Sequence, residues 1–288
     1  MVQLPDTLCY LNGEYTPLNQ AKVSVLDRGF IFGDGIYDVV PVYGRKLFRF
    51  AQHLARLDRN LGKLRISNPH SSDEWLERCR KLIAAHASED QMIYIQVTRG
   101  VAPRDHVMPK DIAPTAFIMA SAMKPPSAQA VREGVACVTA QDFRWERGDI
   151  KSTSLLGNVL ARQVSADVGA TETILFREEQ LTEASSSNVW VVQGGAVHGV
   201  PKSEHVLEGI RYELIRELCE EQGIPFSLQP ISAAQVRGAD ELMISSASKE
   251  VLPVVLLDGK PIGSGQPGPV FQRLFSAYQG AKAAQSAP

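Results

Sequence analysis

An α+β architecture in two lobes is what this 288-residue chain predicts, and three features predict it. Turn signals crowd the first 50 residues, strand-like and helical stretches then follow one another irregularly, and Pro125 and Pro126 interrupt the chain near its middle. A doubly wound parallel sheet would show strand and helix in strict alternation. Two successive prolines remove two backbone donors and fix φ, so Lys124-Pro125-Pro126-Ser127 reads as an extended connection. The expected division is residues 1–122, a linker at 123–128, and residues 129–288.

In chain order, Asn12-Gly13 and Gly44-Arg45 each stand between short apolar or aromatic runs and predict hairpins. Leu54, Leu57, Leu61 and Leu64 recur at helical spacing. Ser71, with Glu74 three residues on, forms a capping box ahead of Trp75, Cys79 and Leu82. Met92 to Thr98 alternates as a strand does, and Ala113 to Met123 is a further apolar run. Beyond the prolines, strands at 135–139, 174–176, 189–192, 242–245 and 251–257 interleave with helices near 152–168, 208–222 and 268–284. In the helix near 208, Ile210, Leu214, Ile215 and Leu218 form the apolar stripe, and Gly223 and Pro225 end it. The small, polar tail 281–288 reads as frayed.

Composition narrows the function classes. With 30 Lys+Arg against 32 Asp+Glu the formal charge is -2, which supplies no broad positive field for a nucleic-acid backbone. Hydrophobic residues at 44% and charged residues at 22% are those of a globular chain. No run approaches the roughly 20 apolar residues that cross a bilayer, and the start lacks a basic segment followed by an apolar one. A cytoplasmic protein without a membrane partner is the expectation. Cys9, Cys79, Cys137 and Cys219 form no CxxC pair, and the histidines form no HExxH, so buried reduced thiols and no metal are expected.

Four segments could carry chemistry. Asp27-Arg28-Gly29-Phe30-Ile31-Phe32-Gly33-Asp34-Gly35-Ile36-Tyr37-Asp38 has more glycine and charge than an ordinary strand, though its spacing matches neither GxGxxG nor a Walker loop. A surface loop is its plainer reading. Thr98 to His106 sets Arg104 and His106 two residues apart on a loop bounded by glycine and proline, where both could face one anion. A solvated charged loop is the commoner fate of such a pair. Lys151 ends a turn just ahead of a helix, and Glu183 precedes three consecutive hydroxyls, Ser185 to Ser187, before a strand that reads as buried.

Taken in order, these segments resemble the class IV (fold type IV) aminotransferases that use pyridoxal 5′-phosphate, and within them the D-amino-acid aminotransferases. The likeness runs from Tyr10-Leu11-Asn12-Gly13 to Asp258-Gly259-Lys260. It rests on Asp27-Arg28-Gly29, Phe32-Gly33-Asp34-Gly35, Gln96-Val97-Thr98-Arg99-Gly100, Asp149-Ile150-Lys151-Ser152 and Glu183-Ala184-Ser185-Ser186-Ser187-Asn188-Val189. The resemblance implies a small N-terminal lobe and a larger C-terminal lobe with the cofactor between them. It implies that Lys151 forms the internal Schiff base and shuttles a proton between Cα and C4′, while Glu183 keeps the pyridine nitrogen protonated. The remaining cofactor contacts it implies are Arg56, the amides of Gly209, Ile210 and Arg211, the loop Ser245-Ser246-Ala247, and Ser187. Arg211 and Ala247 stand where relatives often carry threonine, and Asp38 where they carry glutamate.

By the same likeness, Tyr37, Arg104 and His106 clamp the substrate α-carboxylate, the last two reaching in from the neighbouring subunit of a homodimer. Val39, Pro41 and Tyr94 line the side-chain pocket, although ordinary core packing accounts for them equally. The implied reaction passes the amino group of D-alanine to 2-oxoglutarate, giving pyruvate and D-glutamate by a ping-pong course. Transaminases of L-branched-chain amino acids or of (R)-amines, and aminodeoxychorismate lyase, share the lysine and the glutamate. Outside enzymology, a carrier of pyridoxal phosphate is the remaining alternative, disfavoured because storage needs no electron sink.

Overall fold

The computed structural model describes residues 5–286; Met1–Leu4 at the start of the chain and Ala287–Pro288 of the tail lie outside the described residues. The chain divides into two compact units. One comprises the described residues up to Met123 with Ile150–Leu155 and residues 285–286; the other comprises Lys124–Asp149 and Leu156–Ala284.

The first unit opens with the hairpin β1 (Leu8–Leu11) and β2 (Glu14–Pro17), turned by Asn12 and Gly13, both at positive φ. A short helix α1 (Arg28–Phe32) leads into the strands β3 (Gly35–Tyr43) and β4 (Lys46–Leu47). Helices α2 (Phe50–Leu64) and α3 (Ser72–Ala85) then precede β5 (Gln91–Thr98) and β6 (Thr115–Ala122). The six strands form an antiparallel sheet in the order β2-β1-β6-β5-β3-β4. Strand alternation divides the side chains. Ile36, Val40, Ile93, Ile95 and Ile118 pack on one face against Leu57 and Leu61 of α2 and Trp75 and Leu82 of α3. Tyr37, Val39, Tyr94 and Gln96 stand half-buried on the other face. The capping box at Ser71 and Glu74 starts α3, both of its hydrogen bonds being present.

The glycine-rich segment is not a surface loop. Asp27 caps α1, its Oδ1 accepting from the Gly29 N–H at 2.8 Å while its Oδ2 accepts from the Thr115 hydroxyl at 2.6 Å. A Cβ at Gly29 would lie 2.3 Å from Thr98 Cγ2, and Gly33 closes the helix at φ +66. Arg28 and Arg99, both buried, converge on Asp34 at 2.8 and 2.7 Å. The charges that suggested a solvated loop thus neutralise one another inside.

The second unit runs α4 (Ala128–Glu133), β7 (Val135–Gln141), α5 (Leu156–Asp167), β8 (Glu172–Arg177), β9 (Gln180–Ala184), β10 (Asn188–Gln193), β11 (Ala196–Gly199), α6 (Ile210–Glu221), β12 (Phe226–Leu228), α7 (Ala233–Arg237), β13 (Glu241–Ser246), β14 (Glu250–Leu257), β15 (Lys260–Pro261) and α8 (Pro269–Ser286). Its strands form one mixed sheet, ordered β12-β11-β10-β13-β14-β7-β8-β9 with β15 on β14; β7 lies parallel to both β8 and β14. Helix α8 continues to Ser286, taking in residues of the tail read as frayed.

The lysine segment departs from the expectation of one uninterrupted unit over 129–288. β4 pairs only with Val42 and Tyr43 of β3, which leaves that side of Gly35–Tyr37 open. Residues 151–153 occupy it. The Tyr37 N–H donates to the Lys151 carbonyl at 3.0 Å, and the Thr153 N–H to the Gly35 carbonyl at 2.9 Å. Among the described residues no helix is long and apolar enough to cross a membrane.

Candidate active site

Because Lys151 is laced to β3, its side chain meets the half-buried face of the first sheet. Lys151 Nζ lies 3.1 Å from Tyr37 Oη and 4.2 Å from the centre of the same ring. Tyr37 stacks on Tyr94 with centroids 5.6 Å apart, and Tyr94 donates its hydroxyl proton to Gln96 Oε1 at 2.7 Å. Burial, with Tyr37 adding to it, pushes the Tyr94 phenol up to about 12, so it stays a donor at neutral pH. Val39 pairs with Tyr94 across the strands and shares this face, whereas Pro41, further along β3, is buried.

Helix α2 backs the lysine from the other side of β3. His53, Arg56 and Asn60 fall on one helical stripe and are all buried. Asn60 accepts from the Lys151 N–H at 3.3 Å and donates to the Arg56 carbonyl at 2.9 Å. Asp38 binds Arg56 through two bonds, Nε at 2.9 Å and Nη2 at 2.8 Å, and His53 Nδ1 stands 2.7 Å from Asp38 Oδ1. Burial opposes the charge on Asp38, but Arg56 and His53 hold its carboxyl well below the usual carboxylate range. The shorter acid at position 38 therefore fixes the plane of the guanidinium.

Arg104 and His106 lie on the exposed stretch between β5 and β6, against Phe32 at the end of α1. The Arg104 guanidinium carbon sits 5.4 Å from the Phe32 centroid, and the His106 ring is also at 5.4 Å.

Within the second unit, β9 delivers Glu183 to a buried position. The Arg144 guanidinium bridges it to Asp142, donating to Glu183 Oε1 at 2.5 Å and to Asp142 at 2.9 and 3.0 Å. The Leu207 N–H donates to Glu183 Oε2 at 3.1 Å. Burial pushes the Glu183 carboxyl above its ordinary value against the pull of Arg144. A carboxylate so placed is stabilised by a further cationic N–H donor.

Part of the set expected to hold a phosphate also lies in this unit. Asn188, first residue of β10, pairs with Ser245 at the end of β13 and donates to the Leu207 carbonyl at 3.1 Å. Gly209 caps α6 without a side-chain hydrogen bond, and a Cβ there would stand 2.0 Å from Asn188 Oδ1. The first turn of α6, with Ile210 and Arg211, is thereby brought beside the strand end that carries Ser246 and Ala247. The buried Arg211 side chain turns toward the Tyr278 ring, 5.9 Å away, so its backbone is what this residue presents at the helix start. Ser246 Oγ accepts from the Lys249 N–H at 3.1 Å.

Ser187 behaves differently from its expected role: its hydroxyl donates to buried Glu172 at 2.8 Å. Ser185 and Ser186 bond to the same carboxylate, as does Lys249 Nζ at 2.9 Å. Burial works against this charge, yet Lys249 and the hydroxyls hold Glu172 below its ordinary value. Sequence reasoning missed Asp142, Arg144, Glu172, Lys249 and Asn60. Only Asn60 had a local signal, a polar residue one turn beyond Arg56 inside a leucine-rich stripe; the partners of the others lie far along the chain.

An amine against a phenol, a buried carboxylate that favours a cationic donor, and a helix start stripped to glycine fit pyridoxal 5′-phosphate. Among the described residues no cluster of His, Cys, Asp and Glu is set to hold a metal ion.

A family model described as "Amino-transferase class IV" matches residues 35–257. A D-alanine aminotransferase of Staphylococcus aureus (strain MSSA476) is 38% identical over 270 residues, covering 94% of this chain and 96% of that protein. A D-alanine aminotransferase of Bacillus licheniformis is 35% identical over 93% of this chain and 94% of its own length. In three dimensions, a branched-chain amino acid aminotransferase from T.th. solved with pyridoxamine 5′-phosphate superposes with a TM-score of 0.92 at 24% identity, over 98% of this chain and 96% of that one. The Escherichia coli branched-chain amino acid aminotransferase does so with a TM-score of 0.87 at 24% identity, over 96% of this chain and 94% of its own. At such identity these two establish the fold.

Proposed function

The chain belongs to the class IV aminotransferases, and on that premise we propose that it transfers the amino group of D-amino acids, D-alanine first, to 2-oxoglutarate with pyridoxal 5′-phosphate as cofactor. The observation that carries the reading is the 3.1 Å approach of Lys151 Nζ to Tyr37 Oη. It sets a proton-transferring amine beside a candidate carboxylate anchor. The cofactor, when bound, supplies the electron sink for the charge left as the substrate Cα loses its proton.

The chain's own residues do the rest. Lys151 would hold the cofactor through Nζ, and the same amine would move the proton between the substrate Cα and C4′. Glu183, steadied by Arg144, keeps the ring nitrogen protonated. Arg56 on its Asp38 mount, the N–H groups of Ile210 and Arg211, and the loop at Ser246 and Ala247 are the groups that would hold the phosphate. Ser187 serves by anchoring the turn that follows Glu183. Tyr37 with the partner subunit's Arg104 and His106 binds the α-carboxylate, and Val39 and Tyr94 border the side-chain pocket. Lys151 would address one face of the cofactor, so the side on which the carboxylate is held would select the enantiomer, here D.

A homodimer is part of this reading. Leu156, Val159, Leu160 and Val164 of α5 are 71, 59, 52 and 39% exposed along one helical stripe, a surface suited to a second copy. Four free, buried cysteines accord with a cytoplasmic setting. The test is a half-reaction followed by the absorbance of the bound cofactor. Bleaching by D-alanine, with L-alanine and L-leucine inert, is expected; bleaching by the L forms alone overturns the reading in favour of branched-chain transamination.

A further inference from the structure

We infer that Phe32 and Arg28 are positioning residues for Arg104 and His106, forming the platform that aims this pair; the inference rests on the carboxylate-clamp reading above. Pro103 to His106 are all exposed, so the loop has no packing of its own to fix their direction. Its contacts with α1 supply that. The Phe32 ring has the Arg28 guanidinium carbon at 4.8 Å, that of Arg104 at 5.4 Å and the His106 ring at 5.4 Å. Arg28 Nη1 donates to the carbonyl of Asp105, the residue between the pair, at 2.5 Å.

The platform is itself rigid. Arg28 Nε donates to Asp34 at 2.8 Å, Arg99 grips the same carboxylate, and the Arg28 N–H bonds the Gly100 carbonyl at 2.9 Å. Phe32 is followed by Gly33 in the left-handed cap, which fixes the backbone under the ring. A guanidinium is drawn to the face of an aromatic ring. An exposed arginine held that way has already surrendered rotamer freedom that carboxylate binding would otherwise cost. Phe32 and Arg28 thus act through Arg104 and His106, without touching substrate.

The experiment uses the holoenzyme. Phe32→Leu keeps the apolar bulk and removes the π face; Phe32→Tyr keeps both. For Phe32→Leu we expect KM for D-alanine to rise roughly tenfold with kcat within about twofold, since a uniform binding contribution is lost. The His106 ring-proton NMR shifts should move as the ring current goes, and Phe32→Tyr should restore both readouts. Unchanged His106 shifts in Phe32→Leu overturn the platform. Moved shifts with an unchanged KM overturn its part in substrate binding. Should Phe32→Leu not fold, Arg28→Lys keeps charge and ring but loses the fork reaching Asp34 and Asp105 together, so the loop should leave the ring: the His106 shifts should move and KM rise, and an unchanged shift or an unchanged KM overturns the corresponding part. An Arg104→Ala enzyme with unaltered KM would instead sink the clamp reading, and the His106 shifts would still decide the platform.

Discussion

The roles proposed for Lys151, Glu183 and Asp38 each predict a separate signature on loss. Lys151→Ala removes the amine beside Tyr37 and should lower transamination from D-alanine to 2-oxoglutarate by at least about 10³-fold, measured by coupled assay of pyruvate; undiminished activity would end its assigned role. Glu183→Gln keeps the shape and loses the charge that burial already strains. We expect kcat to fall about 10²- to 10³-fold. Asp38→Asn should loosen the cofactor instead, because a neutral amide cannot hold the Nε–Nη2 edge of Arg56 as a carboxylate does. Equilibrium dialysis of the cofactor against apoprotein reads this directly, and Asp38→Glu should bind more tightly than Asp38→Asn. At this scale Lys151, Glu183 and Arg56 could be singled out in the chain as candidates, and the fold sets the first beside Tyr37 and the other two in buried ion pairs. Arg144 could not, because it reaches Glu183 across 39 residues of sequence.

At the level of elements, the turn from Ser185 to Ser187 is held by a charge rather than by packing. Glu172 is fully buried, and Lys249, on the turn between β13 and β14, neutralises it. Its lowered folded pKa means that this stabilisation is complete above the ordinary glutamate value, near pH 4.3, and is lost as pH falls through the lower folded value. Removing the cation alone, in Lys249→Met, should cost about 3 kcal/mol in urea unfolding and raise the pH of acid unfolding. Adding Glu172→Gln should recover most of the loss. Helix α3 was legible because its capping box is local, four residues long. Helix α1 was not, because its charges are satisfied by Arg99 and Thr115, 65 and 88 residues away from Asp34 and Asp27. Glycines whose reason is a distant neighbour, as Gly29 beside Thr98, look from the sequence like those of a loop.

For the whole molecule, the apolar stripe on α5 predicts self-association, and Leu160→Glu should convert a dimer to a monomer in light scattering at micromolar concentration. Initial rates with D-alanine and 2-oxoglutarate varied together should give parallel double-reciprocal lines, the sign of a ping-pong course. The α+β class was readable from turn chemistry and from the irregular order of strands and helices. The placement of Ile150–Leu155 with the first unit was not, since pairing between residues 114 apart leaves no periodic trace. That pairing has a mechanical consequence. Lys151 and Tyr37 are joined through adjacent rungs of one ladder, so the amine and its phenolic neighbour share one piece of backbone pairing. An insertion in the stretch Lys124–Ser127 would lengthen the intervening polypeptide while leaving those backbone hydrogen bonds in place.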